Sequence, residues 1–190
     1  MKKWIPISIV SVLVLGIGAG TGYYFYNKHV EEVAAEQQAK KLHAYGQNLN
    51  VAVLDMLDGT MKATVMCATY SSVWDQAIQN NFVTIGDKTA FTFDEAIQYQ
   101  EQSFQSDGSQ SSIDSNKSSV DKLMQECNNP PQEFKSAYDT AIQMYDSYTQ
   151  LMSEAESPTG SLVNFNSTTD QIESDINKKA SEFKIELPQS

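Results

Sequence analysis

The 190-residue sequence contains no arginine, and all 13 of its basic residues are lysines. Recognition of nucleic acid depends largely on basic surfaces that are rich in arginine. The net charge is −11 at neutral pH, so the chain also lacks the basic excess that holds a protein against an anionic lipid surface. These features argue against nucleic acid as a partner and favour a solvated, acidic surface.

Histidine is nearly absent, since His29 and His43 are the only two. Neither has a second histidine one helical turn away, so the sequence has no zinc pair of the H-x-x-x-H kind. It also lacks a glycine-rich phosphate loop, a nucleophile elbow and an acidic calcium loop. Carboxylate pairs such as Asp55 with Asp58 have the spacing that is common on solvated helix faces. We therefore expect no catalytic residue, no metal, no cofactor and no enzymatic activity.

Only one long uncharged run occurs, from Trp4 to Tyr26. As a helix it is about 34 Å long, enough to cross a hydrocarbon core of about 30 Å with some tilt. Lys2 and Lys3 precede the run, so the positive-inside rule predicts a cytoplasmic N-terminus and an extracytoplasmic location for everything after Asn27. The lipid bilayer, contacted through residues 4–26, is therefore the first predicted partner.

The same segment has an alternative interpretation as a cleaved signal peptide, because Gly18, Ala19 and Gly20 are small residues that follow an apolar stretch. The apolar run continues beyond them, which favours an uncleaved signal anchor and a single-pass protein of the cell membrane. Gly16 and Gly20 have the G-x-x-x-G spacing that permits close pairing of helices in lipid. This spacing allows a homodimer through Gly16 and Gly20.

Hydrophobic periodicity predicts α-helices in nearly all of the remaining chain. The predicted fold class is all-α, an N-terminal transmembrane helix followed by an elongated antiparallel helical bundle. Three segments are expected: residues 1–27 as cytoplasmic tip and anchor, 28–41 as a polar helical stalk, and 42–188 as the extracytoplasmic bundle. Residues 80–91 interrupt the helical pattern and are predicted to form a loop with a tendency towards a hairpin.

Local signals divide the bundle into five helices. Thr92 and Glu95 form a capping box that begins the second helix. Asn129, followed by Pro130, is predicted to be the N-cap of the fourth helix. Ser157-Pro158 is expected to end the fourth helix and to cap the fifth. The short connection makes the fourth and fifth helices antiparallel neighbours.

A set of spaced residues carries a resemblance over roughly residues 45–185. The set comprises Val73-Trp74-x-x-Ala77-Ile78, then Asn129-Pro130-Pro131-x-x-Phe134-x-x-x-Tyr138, then Tyr145-x-x-Tyr148, and finally Ala155-x-x-Pro158-x-Gly160-Ser161-Leu162-x-x-Phe165. The pattern resembles small membrane-anchored or lipoprotein-like extracytoplasmic helical proteins of Gram-positive bacteria, a set without an assigned activity. The resemblance implies the topology and the bundle, and it implies no catalytic residue. Gly160 is interpreted as a close-packing position.

Aromatic residues form the candidate seam or groove of the bundle. Residues at this spacing most often fill a core, and the alternative is a groove for a peptide, a lipid tail or a glycan. The residues are Trp74, Tyr138, Tyr145, Tyr148 and Phe165.

The only two cysteines, Cys67 and Cys127, each lie on an apolar stripe. The predicted topology places both in an oxidising compartment. A disulfide between them would close a loop of about 60 residues and would stabilise the fold by roughly 4 kcal/mol. We expect that disulfide, with two separate buried thiols as the alternative.

Two functions fit these predictions. The first is a non-enzymatic interaction or structural module of the cell envelope, whose partner is another envelope or membrane protein. The second is a ligand-binding or sensing ectodomain for a small amphipathic ligand or peptide, which would work with a partner protein. Burial of the tyrosines favours the first function, whereas an apolar pocket beside them favours the second.

Overall fold

The computed structural model describes the backbone of residues 7–188 and the side chains of residues 28–188. Helices dominate this span, which confirms the all-α class. The chain divides into two units, residues 1–44 and 45–190. In chain order, the elements are α1 (Ile7–Asn80), β1 (Val83–Ile85), β2 (Lys88–Ala90), α2 (Phe93–Asp107), α3 (Ser109–Glu126), a 3₁₀ turn (Gln132–Phe134), α4 (Lys135–Glu156) and α5 (Leu162–Glu186).

The first unit contains the part of α1 that precedes Tyr45. Every residue from Lys28 to Lys41 is exposed to solvent. Where side chains are described, no helix is both long enough and apolar enough to cross a membrane. The predicted anchor at residues 4–26, including Gly16 and Gly20, lies outside those residues.

In the second unit, α1 and α3 run in opposite directions. The Asn116 amide on α3 donates to the Asp55 carbonyl oxygen on α1 at 3.0 Å. Beyond the end of α3, the Cys127 carbonyl accepts from the Tyr45 hydroxyl at 2.8 Å. Later residues of α3 therefore meet earlier residues of α1.

The helix α2 also runs antiparallel to α1, so α2 and α3 together form one leg of the bundle. The rings of Trp74 and Phe93 are 6.3 Å apart, and the rings of Tyr70 and Phe104 are 5.2 Å apart. Between the two helices, Gly108 has a φ of +86°. This left-handed conformation favours glycine and marks the joint between the two halves of the leg.

The helices α4 and α5 complete an up-down-up-down bundle. Tyr148 on α4 donates to the Asn116 side chain on α3 at 2.7 Å, and Thr140 on α4 donates to Glu186 at the end of α5 at 2.6 Å. Each helical leg is therefore antiparallel to the one before it. Short connections restrict consecutive legs to this arrangement.

The core follows the stripes that the periodicity predicts on α1, α4 and α5. Fully burying an aliphatic or aromatic side chain stabilises a fold by roughly 1.5–3 kcal/mol. The largest fully buried side chains are Tyr70, Tyr148, Phe165, Leu49, Met56, Ile113, Met144, Leu151, Met152 and Ile176.

Residues 80–91 contain an antiparallel hairpin. Val83 pairs with Ala90, and the turn passes through Gly86, which has a φ of +60°. A lone hairpin is marginal in water. Here Val83 and Ala90 are buried in a small cluster with residues of α1 and α2. This packing stabilises a hairpin that the sequence indicates only as a tendency.

The capping box of α2 is confirmed, with one difference. The Glu95 amide donates to the Thr92 hydroxyl at 3.2 Å. The Glu95 carboxylate accepts from the Phe91 amide at 3.0 Å, one residue before the Thr92 amide that a standard box uses.

The predicted N-cap at Asn129 is wrong, because α4 begins at Lys135 after a 3₁₀ turn. A proline disfavours the α region for the residue before it. Pro130 precedes Pro131 and is therefore biased away from a helix. Pro131 has a ψ of 154°, which is extended backbone.

The predicted end of α4 is confirmed, but Ser157 does not cap α5. Ser161 is the N-cap, and its hydroxyl accepts from the Asn164 amide at 3.3 Å. Gly160 has a φ of +86° and no atom within 4 Å of an added Cβ. It therefore provides a turn conformation, and the close-packing interpretation is wrong.

Candidate interaction surface

The structure distributes the five residues of the predicted seam along the bundle. Tyr145 and Tyr148 are stacked in its middle, with ring centroids 6.3 Å apart. Trp74 and Phe165 meet near the end of α1, with centroids 6.0 Å apart. Tyr138 lies elsewhere, near Cys127. Burial raises the pKa of Tyr138, and the Cys127 thiol adds to that rise. The five residues therefore do not line one surface.

In the middle of the bundle, the tyrosines belong to a polar network between α3 and α4. The fully buried Tyr148 donates to Asn116. The half-buried Tyr145 donates to Asp121 at 2.6 Å. Burial, together with the Asp121 carboxylate, raises the pKa of Tyr145 to about 12. This network fixes how α3 sits against α4.

Gly59 on α1 makes room for this network. An added Cβ would lie 1.9 Å from the Asn116 side-chain oxygen and 2.8 Å from the Tyr148 ring. The residue therefore allows three helices to approach at one point. The periodicity of α1 places Gly59 on its buried face, which the structure confirms. The periodicity does not point to Asn116, because nothing in it pairs residues so far apart in the chain.

The predicted disulfide between Cys67 and Cys127 is wrong, because both are buried free thiols. Cys127 lies beside Tyr45, and Cys67 follows Tyr45 by 22 residues on α1, which is about 33 Å along the helix. A disulfide requires Cα atoms within about 7 Å of each other. The alternative of two separate thiols holds.

Burial also makes the Cys67 thiol unreactive at neutral pH. Burial raises its pKa to about 12, and the carboxylates of Glu154 and Glu173 add to that rise. Only the thiolate is a nucleophile or a metal ligand. Within residues 28–188, no group of three or more histidine, cysteine or acidic side chains is placed to hold a metal ion.

One end of the bundle carries exposed apolar side chains, which we call the tip patch. At this end α1 terminates, the hairpin turns and α2 and α5 begin, around the buried ring of Trp74. The apolar periodicity of α1 predicts that Ile78, one turn after Trp74, is buried, but its side chain is 55% exposed. The tip patch consists of Ile78, Phe82, Phe91, Phe93 and Val163.

The hairpin register explains why two phenylalanines of the tip patch face outward. Successive residues of a strand point to opposite faces. Val83 and Ala90 are paired and buried, so the adjacent Phe82 and Phe91 lie on the opposite face. They are 51% and 70% exposed, respectively. A signal for this patch was present in the sequence, as three phenylalanines within and beside the break in the helical pattern.

A cavity of about 370 Å³ lies between α1 and the joint of α2 with α3. Met61, Val65, Met66 and Phe104 supply its apolar walls, and the ion pair between Asp58 and Lys62 (2.7 Å) lies beside them. A second cavity, of about 270 Å³, is more polar and is lined by Cys67 and Glu173, among others. Neither of the two includes a residue of the predicted seam.

Comparisons with protein-family models, with curated proteins and with solved structures match no family, no relative and no structure.

Proposed function

We propose that this chain is a membrane-anchored, non-enzymatic interaction module of the cell envelope, and that its tip patch binds another envelope protein. The tip patch carries the proposal. Large exposed apolar patches are uncommon on soluble domains and typically mark interaction sites. Trp74 is buried and packs in the core, whereas the three phenylalanines of the tip patch, Phe82, Phe91 and Phe93, are about half exposed or more.

Charge around the tip patch indicates the kind of protein that fits. Asp75 on α1 and Asp94 on α2 are exposed beside it, together with the half-buried Glu95. A complementary surface has apolar side chains at its centre and basic groups at its rim. The partner is therefore an envelope or membrane protein with a basic, partly apolar face.

The proposed location rests on the charges that flank the apolar run. Lys2 and Lys3 lie before it, and Glu31 and Glu32 lie shortly after it. This distribution supports a single-pass anchor at residues 4–26 with a cytoplasmic N-terminus. The second unit is then extracytoplasmic, with residues 28–41 as the stalk.

The topology is tested by adding one cysteine at Ile185, which is 85% exposed on α5. A membrane-impermeant maleimide should label Ile185→Cys in intact cells and should not label the wild type, whose two thiols are buried. Labelling only after the cells are lysed would contradict the topology. The intact mass of the same protein distinguishes an uncleaved anchor from a cleaved signal peptide.

The tip patch is tested by photocrosslinking in intact membranes. A photoreactive amino acid replaces Phe91 in one variant and Ile185, another highly exposed apolar residue, in a control. We expect one specific protein, identified by mass spectrometry, at Phe91 only. The double variant Phe82→Ser with Phe93→Ser should abolish that product.

Two outcomes would overturn the proposed function. One is a product of equal intensity at both positions, which indicates collision. The other is the recovery of a lipid or a peptide in place of a protein.

The cavity beside Phe104 favours a second function, the binding of a small amphipathic ligand. Its volume of about 370 Å³ lies within the range of roughly 300–1,000 Å³ that is typical of ligand pockets. Val65→Trp should fill this cavity without touching the tip patch. If native mass spectrometry detects a copurified small molecule on the wild type and not on Val65→Trp, the second function is supported.

A further inference from the structure

A second exposed apolar surface runs along the outer face of α1, which we call the outer stripe. Its four apolar members are between 44% and 65% exposed. These four residues are separated by 3, 7 and 4 positions, as the a and d residues of a heptad repeat are. The acidic Asp58 occupies the a position between Leu54 and Met61. The outer stripe consists of Val51, Leu54, Asp58, Met61 and Val65.

The outer stripe lies on the side of α1 opposite its buried core residues, and Asp58, Met61 and Val65 also border the cavity beside Phe104. With Val51 as heptad position a, the core residues Leu49, Met56 and Tyr70 all occupy position f. Positions a and d lie opposite position f on a helix. The inner face of α1 therefore packs the bundle, and the outer face carries a second, unpartnered apolar repeat.

The same repeat continues along the sequence towards the N-terminus. Counting back by heptads places Val33 at d and Val30 at a, and both side chains are exposed. All residues from Lys28 to Lys41 are exposed, so no other described residue of this chain covers them. The same count places Gly16, one residue of the predicted glycine pair, at a.

The residue types select one occupant. In the heptad that begins at Val51, valine at a with leucine at d favours two parallel strands. Position g of one strand faces the next e position of the other. For a second copy in register, Glu36 faces Lys41, an opposite-charge pair, and no g–e pair from residue 29 to residue 69 brings like charges together. Apart from Asp58, the repeat is therefore complementary to itself in the parallel orientation.

We infer that the outer stripe is the interface through which two copies of this chain pair as a parallel coiled coil. Val51, Leu54, Met61 and Val65 form its apolar contact. Gln37, Lys40 and Gln47 interrupt the repeat, so the pairing is tightest from Val51 onward. Asp58 occupies a position a and faces the Asp58 of the second copy, so this like-charge contact weakens the pair.

The inference uses a surface separate from the tip patch, so either proposal can fail alone. It draws on the proposed topology only for the shared orientation of two copies in one membrane. Met61 and Val65 also form a wall of the cavity beside Phe104. A second copy on the outer stripe therefore competes with a ligand in that cavity.

Disulfide trapping of the full chain in a mild non-ionic detergent tests the pairing and its direction. Val51→Cys should form a covalent dimer under mild oxidation, because position a meets its own counterpart in a parallel pair. The wild type and Ile185→Cys should not. Equal trapping of Val51→Cys and Ile185→Cys would overturn the interface. Trapping of Asp58→Cys without Val51→Cys would overturn the parallel direction.

A variant that should strengthen the dimer provides the second test. Asp58→Leu replaces a charge by an apolar side chain at the centre of the outer stripe. It should tighten the dimer about tenfold or more, since 1.4 kcal/mol already corresponds to a factor of ten. Asp175→Leu, at an exposed aspartate of α5, is the matched control and should leave the dissociation constant unchanged. Light scattering across a dilution series measures both.

A third test distinguishes pairing through the outer stripe from pairing through the glycine pair. Met61→Lys with Val65→Lys should abolish trapping at Val51→Cys, because it places four lysines in a two-stranded contact. If Gly16→Ile with Gly20→Ile abolishes the dimer while the lysine variant retains it, the pairing belongs to the N-terminal segment and the inference is wrong.

Discussion

Two buried tyrosines show how differently one hydroxyl group can contribute to stability. Tyr148 and Tyr70 are both fully buried. The Tyr148 hydroxyl donates to Asn116 at 2.7 Å. Among the described residues, the Tyr70 hydroxyl has no hydrogen-bond partner. A satisfied buried hydrogen bond contributes about 1 kcal/mol, whereas an unsatisfied buried polar group is a penalty of about 1–3 kcal/mol.

Removing the two hydroxyls should therefore shift stability in opposite directions. We expect Tyr148→Phe to lower the free energy of unfolding by about 1–2 kcal/mol, because Asn116 also loses its donor. Tyr70→Phe should leave it unchanged or raise it by up to about 1 kcal/mol. Urea unfolding of both variants, followed by circular dichroism in detergent, measures the difference. Equal losses would mean that the Tyr70 hydroxyl has a partner.

Which residues belong to the core was easier to predict than the surroundings of each side chain. Hydrophobic spacing predicts core positions at Tyr70, Tyr148 and Phe165, and all three are buried. The spacing did not distinguish a tyrosine that is buried from one that is half-buried, such as Tyr145. That difference depends on Asp121, whose carboxylate lies on another helix and accepts from the hydroxyl. Hydrogen bonds between helices leave no trace in the periodicity of either helix.

At the scale of the helix, packing and helix propensity favour different residues at position 59, which is Gly59 in this chain. A glycine inside a helix is about 1 kcal/mol less favourable than alanine. The Cβ of an alanine at residue 59 would, however, lie 1.9 Å from the Asn116 oxygen and 2.5 Å from the Met152 methyl carbon. The methionine side chain can move, whereas Asn116 is held by hydrogen bonds to Asp55 and Tyr148.

We therefore expect Gly59→Ala to destabilise the protein by about 1–3 kcal/mol, because overpacking outweighs the gain in propensity. Thermal unfolding monitored at 222 nm measures the loss. Ser72→Ala, at an exposed position of the same helix, should change stability by less than about 0.5 kcal/mol. An unchanged melting temperature for Gly59→Ala would show that α1 and α3 can separate at this point without loss.

Helix boundaries were predictable where one residue decides the backbone. The capping box at Thr92 and the end of α4 at Ser157 follow from local chemistry. The start of α4 was misplaced because Asn129-Pro130 fits a helix start only if the next residue permits one, and Pro131 does not. The hairpin was indicated by Gly86, but its stability comes from Val83 and Ala90 packing on two helices, which local sequence cannot show.

At the scale of the whole molecule, the two cysteines should behave as protected thiols. We expect a thiol reagent to label neither Cys67 nor Cys127 in the folded protein. After denaturation without reductant it should label both, because both are free and buried. Mass spectrometry counts the added groups. A denatured, unreduced protein without labelled thiols would restore the disulfide, although the geometry then requires it to join two chains.

Several buried thiol and phenol groups should make the free energy of unfolding fall at alkaline pH. Burial raises the pKa of Cys67, normally 9.0, and of Tyr145, normally 10.0, to about 12 in each case. It also raises the pKa values of Tyr45, Tyr70 and Tyr148. Below about pH 8.5 these groups are mostly protonated in the folded and unfolded states alike. Above it, the unfolded chain loses protons first and becomes more favourable.

Stability should therefore be constant from pH 7 to about pH 8.5 and should fall as the pH rises from about 9 to 12. Urea unfolding at pH 7, 9 and 11 measures this dependence. In the double variant Cys67→Ala with Cys127→Ala, the decline should begin about one pH unit higher, because burial raises the pKa of both thiols and tyrosine titration starts the decline once both are removed. A flat profile up to pH 11 would contradict the burial of these groups.

The position of Trp74 gives the protein an optical probe at the end of the bundle. Trp4 and Trp74 are the only two tryptophans, so Trp4→Phe leaves Trp74 as the single tryptophan. Its indole stacks on Phe93, which belongs to the tip patch, and meets Phe165 at 6.0 Å. Emission of the Trp4→Phe variant should therefore shift when a partner covers the tip patch and should remain steady when two copies pair through α1. One spectrum can then distinguish the two kinds of association in the same sample.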